Sequence, residues 1–264
     1  MKIAVVGESA QDIFIRGYSD RQCPDTPAPV FTAQTQTENW GMAYNVLLNI
    51  KSILNHKYKK DKDEVILITN QKTREFITKT RYIIDRTNTT ICRVDVGDKN
   101  YQHISEHYDD WKNSIKWNEY DVIIISDYNK NFLLEDDIKY ITSQNNKVFI
   151  DTKKKLIGDW FKNVLFIKIN HDEFDKSKQF LTDDVNDKII TTLGDEGALF
   201  QGKIYPVKKV DIRDVSGAGD TWFSAFVIEY MKTKDIEKSI KFGNRCATLV
   251  VQRKGVCVPF GNEI

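Results

Sequence analysis

The polar and apolar positions of this chain change period repeatedly, and the changes mark out its elements. Residues 3–6 form a short unbroken apolar run ending at Gly7, the pattern of a strand covered on both faces. A polar and aromatic segment follows over residues 11–18, then Pro24, Pro27 and Pro29, then a Thr-rich alternating stretch over 30–37 that predicts exposed strand. From Gly41 the period becomes helical, with Ala43, Val46, Leu47, Ile50 and Leu54 three or four residues apart. Residues 57–64 read as a charged loop and 65–69 as a second core strand. Residues 82–84 and 91–96 predict another exposed pair, with Arg86-Thr87-Asn88 between them.

Downstream the alternation is regular. Strands are predicted at 122–126, 147–150, 164–167 and 188–192, separated by helices near 133–143, 156–161 and 171–180. Such alternation demands right-handed crossovers, hence a mostly parallel sheet covered by helices on both faces. A hairpin about Gln201-Gly202 breaks the pattern over 198–207, and two helices, 218–232 and 235–251, close the chain. No repeat, linker or low-complexity tract interrupts it.

Composition narrows the function classes. With 264 residues and 41% hydrophobic content, one large domain with a sizeable core is expected. Lys plus Arg number 39 against 38 Asp plus Glu, so net charge (+1) offers no argument for nucleic acid or an anionic membrane. Cys23, Cys92, Cys246 and Cys257 are too scattered for a metal site or disulfide frame. The apolar N-terminus is too short for a signal peptide, and no run approaches the roughly 20 residues that span a bilayer. A cytoplasmic chain is expected. His56, His103, His107 and His171 show no metal-ligand spacing.

The chemistry concentrates in Asp214-Val215-Ser216-Gly217-Ala218-Gly219-Asp220-Thr221, between the extended run 204–212 and an apolar helix. Gly217 and Gly219 flank the small Ala218, so backbone N–H groups can approach a ligand closely. The following helix aims its positive end at the same point, which suits an anion. Asp220 at that edge can accept a proton from a hydroxyl attacking a phosphoryl group. A bare G-x-G would equally make a turn before a core helix; the octapeptide is far more specific.

That octapeptide resembles the C-terminal signature of the ribokinase-like (PfkB) sugar kinases, in which the final Asp is the catalytic base and the preceding amides stabilise the transferring phosphate. Further segments are similar to one branch, the D-glycero-β-D-manno-heptose 7-phosphate kinases. They include Val5-Val6-Gly7-Glu8 with Asp12, and Arg21 with Cys23-Pro24-Asp25-Thr26-Pro27-Ala28-Pro29-Val30. Thr78-Lys79-Thr80-Arg81 and Cys92-Arg93-Val94-Asp95 resemble its lid strands; Ser126-Asp127-Tyr128-Asn129-Lys130 and Ile150-Asp151-Thr152-Lys153 match two more of its motifs. Two departures bear on the substrate. The usual Gly-Gly before the first long helix is Gly41-Met42, which places a bulky side chain near the sugar site, and only a short loop fits between Thr69 and Thr78.

The resemblance implies a single 1–264 kinase domain: a three-layer α/β/α sandwich with a mostly parallel sheet and a β lid from about 13–37 and 80–105. It implies ATP and Mg²⁺, with Asp220 as base and Gly217, Ala218 and Gly219 around the transferring group. Asp12, Gly41 and Asn45 would line the sugar site, and Lys79 and Arg81 would hold a phosphate already on the substrate. Asn170 and Glu173, from Asn170-His171-Asp172-Glu173, match an N-x-x-E motif that organises magnesium through water. Thr192, Gly194 and Gly197 resemble a nucleotide-binding T-x-G-x-x-G, with Lys153 and Asn244 also toward ATP. A homodimer through the lid is the expected assembly. The acceptor would be a sugar phosphate, phosphorylated at the anomeric O1. Alternatives are another sugar or nucleoside as acceptor, or a non-catalytic sugar-phosphate or nucleotide-binding module.

Overall fold

A computed structural model describes residues 1–59, 62–70, 76–97, 103–261 and 264. Its frame is an eight-stranded sheet in the order β12-β11-β10-β9-β8-β7-β1-β4. These strands are β1 (Lys2–Gly7), β4 (Glu64–Ile68), β7 (Val122–Asp127), β8 (Val148–Thr152), β9 (Phe166–Asn170), β10 (Ile189–Thr192), β11 (Ala198–Phe200) and β12 (Lys203–Tyr205). From β4 to β10 every pairing is parallel, and β11 and β12 add an antiparallel edge.

Because successive strand residues face opposite sides, β1 divides its apolar run between two cores. Ile3 and Val5 pack with helices α1 (Ala43–Ile53), α6 (Ala218–Thr233) and α7 (Ile236–Val250); Ala4 and Val6 pack on the side of α3 (Glu135–Gln144). Short helices α2 (Trp111–Ser114), α4 (His171–Ser177) and α5 (Asp183–Asn186) complete the elements on the connections. The fold is the expected three-layer α/β/α sandwich with a mostly parallel sheet. No helix among the described residues is long and apolar enough to cross a membrane.

A second, four-stranded sheet has the order β3-β2-β5-β6, from β2 (Ser9–Gln22), β3 (Pro29–Met42), β5 (Thr78–Ile84) and β6 (Thr89–Val96). The polar segment 11–18 is therefore strand, and it pairs parallel to β5 with Asp12 opposite Lys79. Its alternation is blurred because much of this sheet is solvated: all eight residues of β6 are exposed. Residues 98–102 of the expected lid and 71–75 of the short loop lie outside the described residues.

Three local expectations change. Residues 156–161 form turns, not a helix; Gly158 at φ +86° breaks a segment of barely one turn. The strand expected at 164–167 starts at Phe166 and runs to Asn170, past the polar Lys168. The charged loop at 57–64 begins as a π-helical turn, Leu54–Tyr58, and residues 60–61 lie outside the described residues.

Candidate active site

Strands β1 and β7 to β10 end on one edge of the sheet, where ligands of open α/β folds bind. Two clefts meet there. One of about 290 Å³ is lined by Thr192, Gly194, Gly197, Gly219, Trp222 and Asn244 among others. The other, about 330 Å³, lies under the small sheet and is lined by Phe14, Arg81, Asn88, Arg213 and Ser216. Ile212 and Val215 line both, so the segment before the glycines is the wall between them.

Asp214 shapes this wall by accepting Ser216 N–H (2.9 Å) and Gly255 N–H (3.0 Å). Gly217 then takes φ +78°, and a Cβ on it would stand 2.7 Å from Asn45 Nδ2, so both conformation and space require glycine. Helix α6 starts here. The Ala218 N–H donates to the Val215 carbonyl (3.2 Å), so one of the three amides expected to face a phosphate is already engaged. The N–H groups of Gly219 and Asp220 lie in the first turn, where no intrahelical carbonyl is available.

Asp220 is buried, with one carboxylate oxygen accepting from Asn45 Nδ2 (2.9 Å) and the other from Tyr128 Oη (2.8 Å). Burial pushes its pKa up to about 6; the Asp151 charge adds to this, while Asn45, Tyr128 and Lys168 oppose it. Asn45, expected on the sugar, is thus a ligand of the carboxylate; its Oδ1 accepts from Asn49 Nδ2 (3.0 Å).

Lys168 is the functional candidate that sequence reasoning missed. Its Nζ pairs with Asp151 Oδ2 at 2.8 Å and would stand 3.1 Å from a Cβ built on Gly219, at the mouth of the amide cradle. Burial pulls its pKa down, but Asp151, with Glu173 and Asp220, outweighs that and the net shift is upward, so it is a cation. A lysine inside the apolar run Phe166-Ile167-Lys168-Ile169 was the available signal.

Asn170 and Glu173 form a reciprocal capping box on α4: Asn170 Oδ1 accepts Glu173 N–H (2.9 Å) and Glu173 Oε2 accepts Asn170 N–H (2.7 Å). Burial raises the Glu173 pKa, and the charge of Asp151 reinforces it. Among the described residues no three His, Cys, Asp or Glu converge on one point. Asn170 and Glu173 offer oxygen donors of the kind magnesium takes, with one oxygen of each engaged in the capping box.

In the 290 Å³ cleft, among the described residues, Thr192 Oγ1 makes a long contact to the Ile169 carbonyl (3.4 Å). Asn244 is neither exposed nor open-handed: its Oδ1 accepts from Trp222 Nε1 and its Nδ2 donates to the Tyr205 carbonyl, both at 2.7 Å. It reads as a buried wall of the cleft. Lys153 lies exposed with its Nζ 4.6 Å from the Tyr128 ring centre, and it is not among the residues lining the 290 Å³ cleft.

Under the small sheet Arg81 pairs with Asp12 (2.6 Å), so two residues expected to hold different parts of a substrate hold each other. Gly41 packs against this pair; a Cβ there would meet Asp12 Oδ2 at 2.2 Å. Lys79 is buried, its Nζ 3.3 Å from Met42 Sδ. Met42 itself is buried with Ala10 and Ile77, at φ +61°. Met42→Gly removes a strain of about 1–3 kcal/mol but also a buried side chain whose truncation costs about 2–5 kcal/mol. A net destabilisation of roughly 1 kcal/mol is expected from these terms. Urea denaturation checks it; a stabilised variant would mean that backbone strain dominates this position.

The model of the pfkB family of carbohydrate kinases matches residues 49–261. Bifunctional protein HldE of Helicobacter pylori strain J99 is 25% identical over 303 residues, covering 100% of this chain and 65% of its own length. HldE of Hydrogenovibrio crunogenus is 26% identical, with 96% of this chain and 60% of its own length covered. The chain thus spans just under two thirds of these relatives. Among solved structures, a ribokinase from Thermotoga maritima superposes with TM-score 0.68 at 20% identity, covering 99% of this chain and 97% of its own. A Methanocaldococcus jannaschii nucleoside kinase gives 0.64 at 19% identity, covering 97% and 93%. These two likenesses are of fold.

Proposed function

The chain belongs to the pfkB family of carbohydrate kinases, and on that premise we propose that it phosphorylates the anomeric O1 of a sugar phosphate such as D-glycero-D-manno-heptose 7-phosphate. ATP-dependent sugar kinase activity is the family's chemistry; the acceptor and the residue roles are our reading. The observation that carries it is Asp220: buried, doubly hydrogen-bonded and next in the chain to Gly219, which lines the first cleft.

In this mechanism ATP occupies the cleft of Thr192, Gly194, Gly197 and Asn244, with its γ-phosphoryl toward Gly219. The acceptor enters from the side of Asp12, Arg81 and Arg213. Its hydroxyl oxygen forms the new bond to the γ-phosphorus as the bond to the ADP oxygen breaks, and its proton passes to an Asp220 oxygen. Lys168 and the first-turn amides of α6 face the charge on the transferring group, the term that positioning and electrostatics supply. Asn170 and Glu173 would hold magnesium through water; when bound, the ion supplies positive charge to the phosphates. Since Asp220 must be ionised to act, activity falls as pH drops through about 6. The bare β6 edge, with Val96 53% exposed, supports pairing between two copies through the lid.

A second reading, with an unphosphorylated sugar or nucleoside as acceptor, is favoured by the Arg81–Asp12 pair. A guanidinium with a carboxylate 2.6 Å away has less charge to offer a phosphate. Arg81→Ala separates the readings. For a phosphorylated acceptor its KM is expected to rise by the equivalent of about 1.5–3 kcal/mol, one charge-assisted contact, while the KM for ATP stays put. Equal loss with heptose 7-phosphate and with free sugars would assign Arg81 to holding Asp12 and favour the second reading.

A further inference from the structure

The Ser126-Asp127-Tyr128 motif has no part in the mechanism above, yet Tyr128 touches the base directly. We propose that Tyr128, braced by Glu8, is a positioning residue that orients the Asp220 carboxylate and keeps it ready to accept the acceptor's proton. This rests on the reading of Asp220 as base.

Tyr128 Oη donates to Asp220 Oδ1 at 2.8 Å, opposite the Asn45 contact, so the carboxylate is gripped from two elements. The hydroxyl stays a donor at working pH: burial first, then the Asp220 charge, holds its pKa well above the usual phenol value. The ring also packs on the Ala10, Met42 and Ile77 cluster, with Lys79 and Lys153 Nζ at 5.3 and 4.6 Å from its centre.

The tyrosine stands on a turn that does not hold its shape unaided. Asn129 and Asn131 both take positive φ, 57° and 69°. Glu8, fully buried after β1, fastens it: Oε2 accepts Tyr128 N–H (3.0 Å), and Oε1 accepts Lys130 N–H (2.7 Å) and Phe132 N–H (3.4 Å). Asp127, fixed by Lys154 Nζ (2.7 Å) and Thr152 Oγ1 (2.6 Å), anchors the start of the turn. The Glu8 carbonyl meanwhile accepts Ala43 N–H (2.9 Å) at the start of α1, the helix that carries Asn45. Main chain and side chain of one residue therefore support the two donors to Asp220. Burying a carboxylate is costly unless it is well hydrogen-bonded; three backbone donors offset part of that cost, and burial with the Asp127 charge still raises the Glu8 pKa.

The groups facing Asp220 are Asn45 from α1, Tyr128, Asp151 from β8 and Lys168 from β9; Asp12 acts on Tyr128 from β2 and Asp127 on Glu8 from β7. Of these, Asn45, Lys168 and the Tyr128 hydrogen bond favour ionised Asp220, and Tyr128→Phe removes the last. Its loss moves the acid limb of kcat/KM upward.

The test is the pH profile of kcat/KM for the acceptor in wild type, Tyr128→Phe, Glu8→Gln and the double variant, each with its melting temperature. Tyr128→Phe is expected to raise the limb by about one pH unit, the size of one hydrogen bond to a charge, without altering the KM for ATP. Glu8→Gln turns an NH2 toward a backbone N–H; it should move the limb the same way, and the double variant no further than Tyr128→Phe alone. An unmoved limb in Tyr128→Phe overturns the proposal even if Glu8→Gln fails to fold. Equal loss at all pH in Glu8→Gln, or additive shifts in the double variant, overturns the bracing role. Asp220→Asn run alongside keeps the two claims apart: a nearly inactive Asp220→Asn with an unmoved Tyr128→Phe limb sinks only this inference.

Discussion

Asp220→Asn is expected to lower kcat by a factor on the order of 10² to 10⁴, the range for a positioned proton acceptor. The carboxamide keeps the shape of the side chain but cannot take the acceptor's proton. Affinities for ATP and acceptor should change far less, because the base contributes to the transition state and not to uniform binding. Removing a charge that burial already disfavours should leave stability equal or slightly higher, since the folded-state pKa of about 6 means that folding penalises ionised Asp220 at neutral pH. If the side chain served only the helix start, the loss would be a stability effect of about 0.3–1 kcal/mol with turnover intact. Turnover, two dissociation constants and a melting curve separate these outcomes. A folded variant retaining more than about a tenth of wild-type turnover removes Asp220 from the base role.

Lys168→Met is the second large effect. The ammonium is the cation nearest Gly219, and its removal should cost about 10² to 10³ in kcat, as for other groups preorganised toward transition-state charge. It also strands Asp151, and breaking this part-buried pair costs stability, up to about 3–5 kcal/mol if it behaved as fully buried. The double variant Lys168→Met/Asp151→Asn resolves the two effects. Stability should return while turnover stays low. Recovery of turnover in the double variant would make Lys168 a structural partner of Asp151 alone.

The parts of this molecule that sequence conveys best are those where a periodic pattern meets a fully buried face. Strand β1 and the parallel strands β7 and β10 fall within a residue or so of the apolar runs that predict them. Strand β2 does not, because a solvated sheet exerts weak demands on side-chain alternation and residues 11–18 read as a polar and aromatic segment of no clear period. At the site, the glycine octapeptide announces the cradle because its backbone geometry restricts residue type. What it cannot announce is pairing. The Arg81–Asp12 and Asn45–Asp220 contacts span 69 and 175 residues, and nothing local distinguishes a side chain aimed at a substrate from one aimed at a neighbour. Lys168 was missed for a related reason: the rule that apolar strands fill the core hides a polar residue set between two isoleucines.

Product analysis tests the central claim most directly. Purified protein is incubated with ATP, Mg²⁺ and D-glycero-β-D-manno-heptose 7-phosphate, and the phosphorus species are followed by NMR beside an Asp220→Asn control. The wild type should form ADP and an anomeric sugar phosphate in equal amounts, and the control should form little of either. ADP accompanied by inorganic phosphate and no new sugar ester across phosphorylated and free sugars, or equal product from the control, would contradict the account.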